Sequence, residues 1–213
     1  MPGVVSGQQH GWSTRTAKDR QDSATRATLL RAAEELFAEQ GCDHTPVGQI
    51  ADRAGTSRAT FYVYFASRQE IFHALAHRVR DEIREVQREA GRSSTDPAVV
   101  VATSIRAALA VYARELRLLT VIRHQALRDP EAARLWTELQ TAPTVVNTRF
   151  LATLRRDHGA RPAASDRTVA EVVTASLMHL AARVADDPDR LDDTAAELVA
   201  GYARLAGSEA PSG

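Results

Sequence analysis

Alanine occupies 38 of the 213 positions, whereas phenylalanine, tryptophan and tyrosine together make up 5%. Alanine is the strongest helix former, and the β-branched and aromatic clusters that build strands are scarce. Apolar residues recur instead at three- and four-residue spacing, in runs that end at glycines and prolines. That pattern predicts an all-α fold. Hydrophobic residues at 44% and charged residues at 25% are near globular averages, which excludes wholesale disorder. The length suffices to bury a real core, as one large domain or two small ones.

Several classes are excluded early. Cys42 is the single cysteine, so no intrachain disulfide forms and no oxidising compartment is implied. The uncharged stretches fall short of the roughly 18 apolar residues of a membrane span, and the first twenty residues lack the apolar block of a secretory signal. A cytoplasmic protein without a membrane partner is expected.

Punctuation divides the chain. Residues 1–20, with Pro2, Gly3, Gly7 and Gly11, show no usable period and are expected to form a flexible leader. Leu29, Leu30, Ala33, Leu36 and Phe37 predict a helix over about 23–40, closed by Gly41. Thr45 followed by Pro46 predicts an N-cap and the start of a short helix to Ala54. Ser57 caps a third helix through Phe65, and a fourth runs from near Ser67 to about Ala90. A segment from Pro97 to Leu127 carries a possible break near Glu115, and Asp129-Pro130 opens a long helix to about Asp157, bent or interrupted at Pro143. Ser165 or Asp166 opens a helix through Ala185. Asp186 to Asp193, with five Asp and one Arg, is expected to be a solvated loop before a last helix over about 192–206. The expected domains are the leader 1–20, a three-helix domain 21–68, a larger helical domain 69–207 and a flexible tail 208–213.

The second and third helices are joined by the tight turn Ala54-Gly55-Thr56-Ser57. This is helix-turn-helix spacing, in which the second member lies in the major groove of DNA. Its outer face would carry Arg58, Thr60, Tyr62 and Tyr64, with Phe61 and Phe65 turned inward. Arg58 suits a guanine edge, and the two phenols suit phosphate oxygens. The Thr45 hydroxyl and free backbone N–H groups beside it suit another phosphate. Arg68 supplies a further backbone contact. With Ser57 and Ala59 in the first turn, the expected DNA-binding set is Thr45, Ser57, Arg58, Ala59, Thr60, Tyr62, Tyr64 and Arg68.

The run from Thr45 to Arg68, with the preceding Ala32 to Gly41, resembles the DNA-binding signature of TetR-like bacterial transcriptional repressors. The resemblance covers about residues 25–75. Small departures are Cys42 in place of an aromatic, Thr56 in place of valine and Arg68 in place of lysine. The resemblance implies a homodimer, a palindromic operator and a small-molecule effector pocket in the C-terminal domain. Effector occupancy would change the separation of the two reading heads through the fourth helix. A one-component regulator, a repressor released by its effector, is therefore expected; the alternative is an effector-independent activator or DNA-binding protein.

Polar groups on otherwise apolar helices are the guide to a pocket: Tyr112, His124, Gln125, Trp136, Asn147, Thr174, Met178 and His179. For the dimer interface, Val169, Val173, Leu177, Leu198 and Tyr202 form stripes suited to a four-helix bundle, unless these stripes face their own core. His73 and His77 have metal-ligand spacing, but no further ligand stands at convincing distance, so no metal or other cofactor is expected. Cys42 is expected to be a small buried hydrophobe. With no glycine-rich phosphate loop and no nucleophile motif, the chain is not expected to be an enzyme.

Charge tempers the DNA expectation. The chain carries 27 basic and 27 acidic residues, yet residues 12–31 hold five basic side chains against Asp19 and Asp22. Affinity depends on the local patch rather than the sum. A titration of DNA affinity against salt should give a shallow log–log slope for a dimer, below about 8 in magnitude; a steeper slope contradicts this patch.

Overall fold

The computed structural model describes residues 12–92 and 94–208, and side chains from residue 24 onward. The first eleven positions of the expected leader and residues 209–213 of the expected tail lie outside the described residues. The helices are α1 (Trp12–Gln40), α2 (Val47–Arg53), α3 (Arg58–Tyr64), α4 (Arg68–Ala90), α5 (Pro97–Arg114), α6 (Leu116–Gln125), α7 (Pro130–Asp157), α8 (Asp166–Asp186) and α9 (Leu191–Ala206). No strand occurs among the described residues.

Most boundaries follow from capping chemistry. Asp96, Asp129 and Ser165 each accept a backbone N–H from the first turn of the helix that follows, at 2.9, 2.9 and 3.1 Å. Ser67 accepts from the Glu70 N–H at 3.1 Å, and the Glu70 carboxylate in return accepts from the Ala66 N–H. Three expectations need correction. Helix α1 begins at Trp12 rather than near 23, so residues 12–20 are helical; no glycine or proline interrupts Trp12 to Gln40. The acidic stretch is no plain loop, because Pro188–Arg190 forms a 3₁₀ turn under an Asp187 cap and α9 follows directly. Of the bend or interruption expected at Pro143, the interruption does not occur, because α7 runs through it.

The chain divides into two compact units, 1–74 and 75–213. The division falls inside α4, a little beyond the expected boundary at 68. In the first unit, Leu29, Phe37, Ile50, Phe61, Phe65 and Phe72 are buried. Phe37 meets Phe72 edge-on at 6.1 Å, and Phe61 lies 5.8 Å from Phe65. Arg53 joins α2 to α1 through Glu35 and Glu39, at 3.0 and 3.1 Å. Such exposed pairs contribute little energy, so the aromatic core holds the unit.

In the second unit, α8 packs against α5, α7 and α9. Glu115 ends α5, is buried, and receives Arg78 of α4 at 3.0 Å and Arg114 at 3.1 Å. Helices α5 and α8 reach a mean hydropathy of 1.2, enough by length and composition for a membrane span. Their Ile105, Leu109, Val169 and Val173 are buried within the fold.

Pro143 has a structural counterpart that the sequence does not reveal. A proline lacks the N–H that would bond the carbonyl four residues back, here Leu139. The buried Tyr112 phenol of α5 donates to that carbonyl, at a long 3.4 Å. Tyr112→Phe should therefore lower unfolding stability by about 1 kcal/mol, by leaving a buried acceptor unpaired. Pro143→Ala in the same background should recover most of that loss in a urea melt, since alanine returns the missing donor.

Candidate DNA-reading surface and ligand cavity

The turn between α2 and α3 is built on Gly55 and Ser57. Gly55 holds φ at +65°, a region that side-chain-bearing residues avoid. Its N–H bonds the Asp52 carbonyl at 3.0 Å and the Thr56 N–H bonds Ala51 at 2.9 Å. Ser57 then leaves in extended backbone and its Oγ accepts the Thr60 N–H at 3.0 Å. The Thr60 hydroxyl also lies 3.0 Å from the Ser57 hydroxyl. These contacts set where α3 starts and which side faces outward.

That side presents Arg58, Ala59, Tyr62 and Val63, while Thr60 and Tyr64 are half-buried and Phe61 and Phe65 are buried. Tyr62 is 57% exposed and Val63 76%. Val63 was not among the expected contacts. It lies four residues from Ala59 and so shares its face. The Arg58 guanidinium folds back over α2: a Cβ added at Gly48 would sit 2.4 Å from one of its terminal nitrogens. Gly48 leaves the space in which that cation rests.

Two expected contacts are placed otherwise. Thr45 is fully buried and is not the cap of α2; its hydroxyl donates to the Gly41 carbonyl at 2.8 Å and accepts from the Gln40 amide at 3.2 Å. The helix starts later, with Pro46 in the N-cap position. Arg68 donates to the Asp43 carbonyl at 2.7 Å and pairs with its carboxylate at 3.7 Å, so it fastens the turn after α1. Its distance in sequence from Asp43 hides this partner. Arg26 lies over the Phe65 ring at 5.1 Å, a cation–π contact.

The second unit holds a cavity of about 160 Å³ between α4, α5, α7, α8 and α9. Val101, Ile105, Phe150, Val173 and Leu177 form apolar wall, and Gln87 and Gly91 bring the end of α4 to it. Tyr112, Asn147 and Thr174 lie on this cavity. The other expected pocket residues do not line it: His124 and His179 are exposed, Gln125 is buried elsewhere, and Trp136 and Met178 are half-buried. They sit on faces of their helices that turn away. Tyr202, expected at a dimer interface, lines the cavity instead and donates to Asn147 Oδ1 at 2.9 Å. Burial pushes the Tyr112 phenol up to about 12 and raises that of Tyr202 further, with the Asp166 charge adding to the latter. Both phenols thus stay protonated donors near neutrality.

Val169, Val173, Leu177, Leu198 and Tyr202 are all buried within the single chain. Their stripes face their own core, so they offer almost no surface to a second copy. The neighbouring stripe is the open one, with Val172 46% exposed and Leu180, Gly201 and Leu205 half-buried around a shallow groove between α8 and α9. Cys42 is buried. His77 faces Glu131 at 3.4 Å, and no group of three or more potential metal ligands occurs among the described residues.

Comparison with known proteins agrees with this layout. Residues 29–75 match the family model of bacterial regulatory proteins of the tetR family. The transcriptional repressor BepR of Brucella suis is 29% identical over 135 residues, 62% of this chain and 65% of that protein. The transcriptional activator FasR of Mycolicibacterium smegmatis is 38% identical over 71 residues, 33% of this chain and 32% of that protein. Both matches thus span less than two thirds of the relative's own length. A TetR-like transcriptional regulator from a Rhodococcus species shares the fold, with a TM-score of 0.70 at 20% identity over 86% of this chain and 97% of that one. Its first helices thus match the model of the tetR family of bacterial regulatory proteins, and its architecture is similar to that of a solved TetR-like regulator.

Proposed function

We propose that the chain is a one-component transcriptional regulator that binds a palindromic operator as a homodimer and leaves it when a small organic effector enters the cavity of the second unit. The observation that carries this reading is the outer face of α3, where Arg58, Tyr62 and Val63 stand exposed on a helix fixed by the Gly55 turn and the Ser57 cap. Arg58 would leave its seat on Gly48 to meet a guanine edge, a bidentate contact of about 1–3 kcal/mol. Tyr62 would hold a phosphate, and the Ala59 and Val63 methyls would meet thymine. Work on operator DNA places the protein in the cytoplasm.

One such helix reads few base pairs, so two copies are needed, with half-sites about 34–36 Å apart or at multiples of that. Val172, Leu180, Gly201 and Leu205 are the surface we assign to pairing, since the stripe beside them is already used in the core. The effector can act only by binding better to the conformation that does not fit DNA. Helix α4 supplies a route, because Gln87 near its end lines the cavity and its first residues belong to the unit that carries α3. A coupling of about 1–3 kcal/mol is typical of such regulators. The repressor sign rests on effector release, and BepR carries that sign in its name, whereas FasR is named an activator.

Selection of bound sequences from random DNA should return a palindrome. Arg58→Ala should relax preference at one base position per half-site by about 1–3 kcal/mol, and Tyr62→Phe should weaken all sequences alike. Folded variants that bind the selected operator with unchanged affinity and preference overturn the assignment of α3.

Pairing is checked separately by measuring mass in solution by sedimentation. Val172→Glu with Leu205→Glu should convert a dimer to a monomer, because unpaired charges would be buried at the joint; a dimer that persists moves the interface elsewhere.

A further inference from the structure

The cavity between α4 and α9 is specific enough in its chemistry to name a class of occupant. We infer that it takes an uncharged molecule of about one ring bearing a hydrogen-bond acceptor, seated on the side-chain amide nitrogen of Asn147; this rests on the effector reading above for its consequence on DNA.

Size comes first. The pocket offers about 160 Å³ and opens beside the exposed Gly91 and Val146; that space suits about one ring, since an apolar protein cavity of roughly 150 Å³ holds benzene. Charge comes second. No Arg, Lys, His, Asp or Glu lines the cavity, so a carboxylate or an ammonium seated against its apolar wall would shed part of its hydration without gaining a counter-ion. Ile105, Phe150, Val173 and Leu177 supply an apolar wall suited to a ring face.

Orientation comes from the polar lining. The Tyr112 phenol is already directed at the Leu139 carbonyl, to which Pro143 offers no N–H. The Thr174 hydroxyl accepts from Thr144 at 3.4 Å. Gln87 and Ser104 also line the cavity. Asn147 is the polar group held at an ordinary hydrogen-bond distance, 2.9 Å from Tyr202. A protonated phenol needs an acceptor, so the amide oxygen faces Tyr202 and the amide nitrogen is turned the other way. No described group accepts from that nitrogen, and Asn147 is part of the cavity wall. A fixed donor on an apolar wall selects a carbonyl or comparable acceptor.

Three probes of similar shape separate the possibilities: acetophenone, ethylbenzene and benzoate, each titrated calorimetrically into the full chain at neutral pH. Acetophenone should bind about tenfold more tightly than ethylbenzene, the worth of one neutral hydrogen bond, and benzoate at least about a hundredfold more weakly than acetophenone. Asn147→Leu should reduce acetophenone to the affinity of ethylbenzene and leave ethylbenzene unchanged. Ala108→Trp, which fills the cavity, should abolish binding of both. Benzoate equal to acetophenone, acetophenone equal to ethylbenzene, no binding of either at millimolar concentration, or binding that survives Ala108→Trp each overturn the assignment. The comparison on the unaltered chain decides even if Asn147→Leu does not fold. Acetophenone binding that follows the expected pattern but leaves operator retention unchanged in a gel shift overturns the effector reading instead, and leaves the ligand class standing.

Discussion

A seven-residue helix has too few internal hydrogen bonds to repay its own nucleation in water. Helices α2 and α3 are each of that length, so the candidate reading surface exists only because α1 and the start of α4 provide something to bury against. Phe61 and Phe65 come from α3 and its end, Phe37 from α1 and Phe72 from α4. Their rings share one core. Because Phe61 must point inward, Tyr62 and Val63 must point outward, and the exposed chemistry of α3 follows from a packing constraint. The Gly55 turn and the Ser57 cap then decide the first residue of the helix, and with it the angular position of Arg58.

The larger unit solves a different problem. Its helices are long enough to be stable against one another, and they leave a small void where Tyr112, Asn147 and Tyr202 meet. Pro143 and Tyr112 belong together there. The proline deprives a buried carbonyl of its donor, and the tyrosine approaches from a neighbouring helix. One phenol is thereby engaged on the wall of the cavity, while the other orients Asn147. Structural hydrogen bonds thus leave the cavity with an oriented donor on an apolar background.

Much of this was legible beforehand. The capping residues Ser57, Asp96, Asp129 and Ser165 announced helix starts because their side chains act on N–H groups two or three residues away. The break at Glu115 was foreseen from its position in an overlong periodic segment. Less legible were the partners of polar side chains. Thr45 and Arg68 have the chemistry to touch phosphate, but Gly41, Gln40 and Asp43 engage them first. Sequence spacing could not show that Arg68 returns to a residue in the turn after α1. For the cavity, Tyr112, Asn147 and Thr174 could be singled out as polar residues on apolar helices, yet the same criterion also selected His124 and His179, which face outward.

By itself, the sequence determined the helical class, nearly every helix boundary, and the short helix-turn-helix near the amino end, because propensity, capping and turn formation are local and act over about four residues. Only the tertiary structure decided which apolar stripe of α8 and α9 faces the core, where Arg58 rests, and which polar side chains meet at the cavity. Those outcomes depend on competition among residues far apart in the chain for the same few partners. A stripe of valine and leucine is chemically the same whether it covers its own domain or another copy, and only packing distinguishes the two.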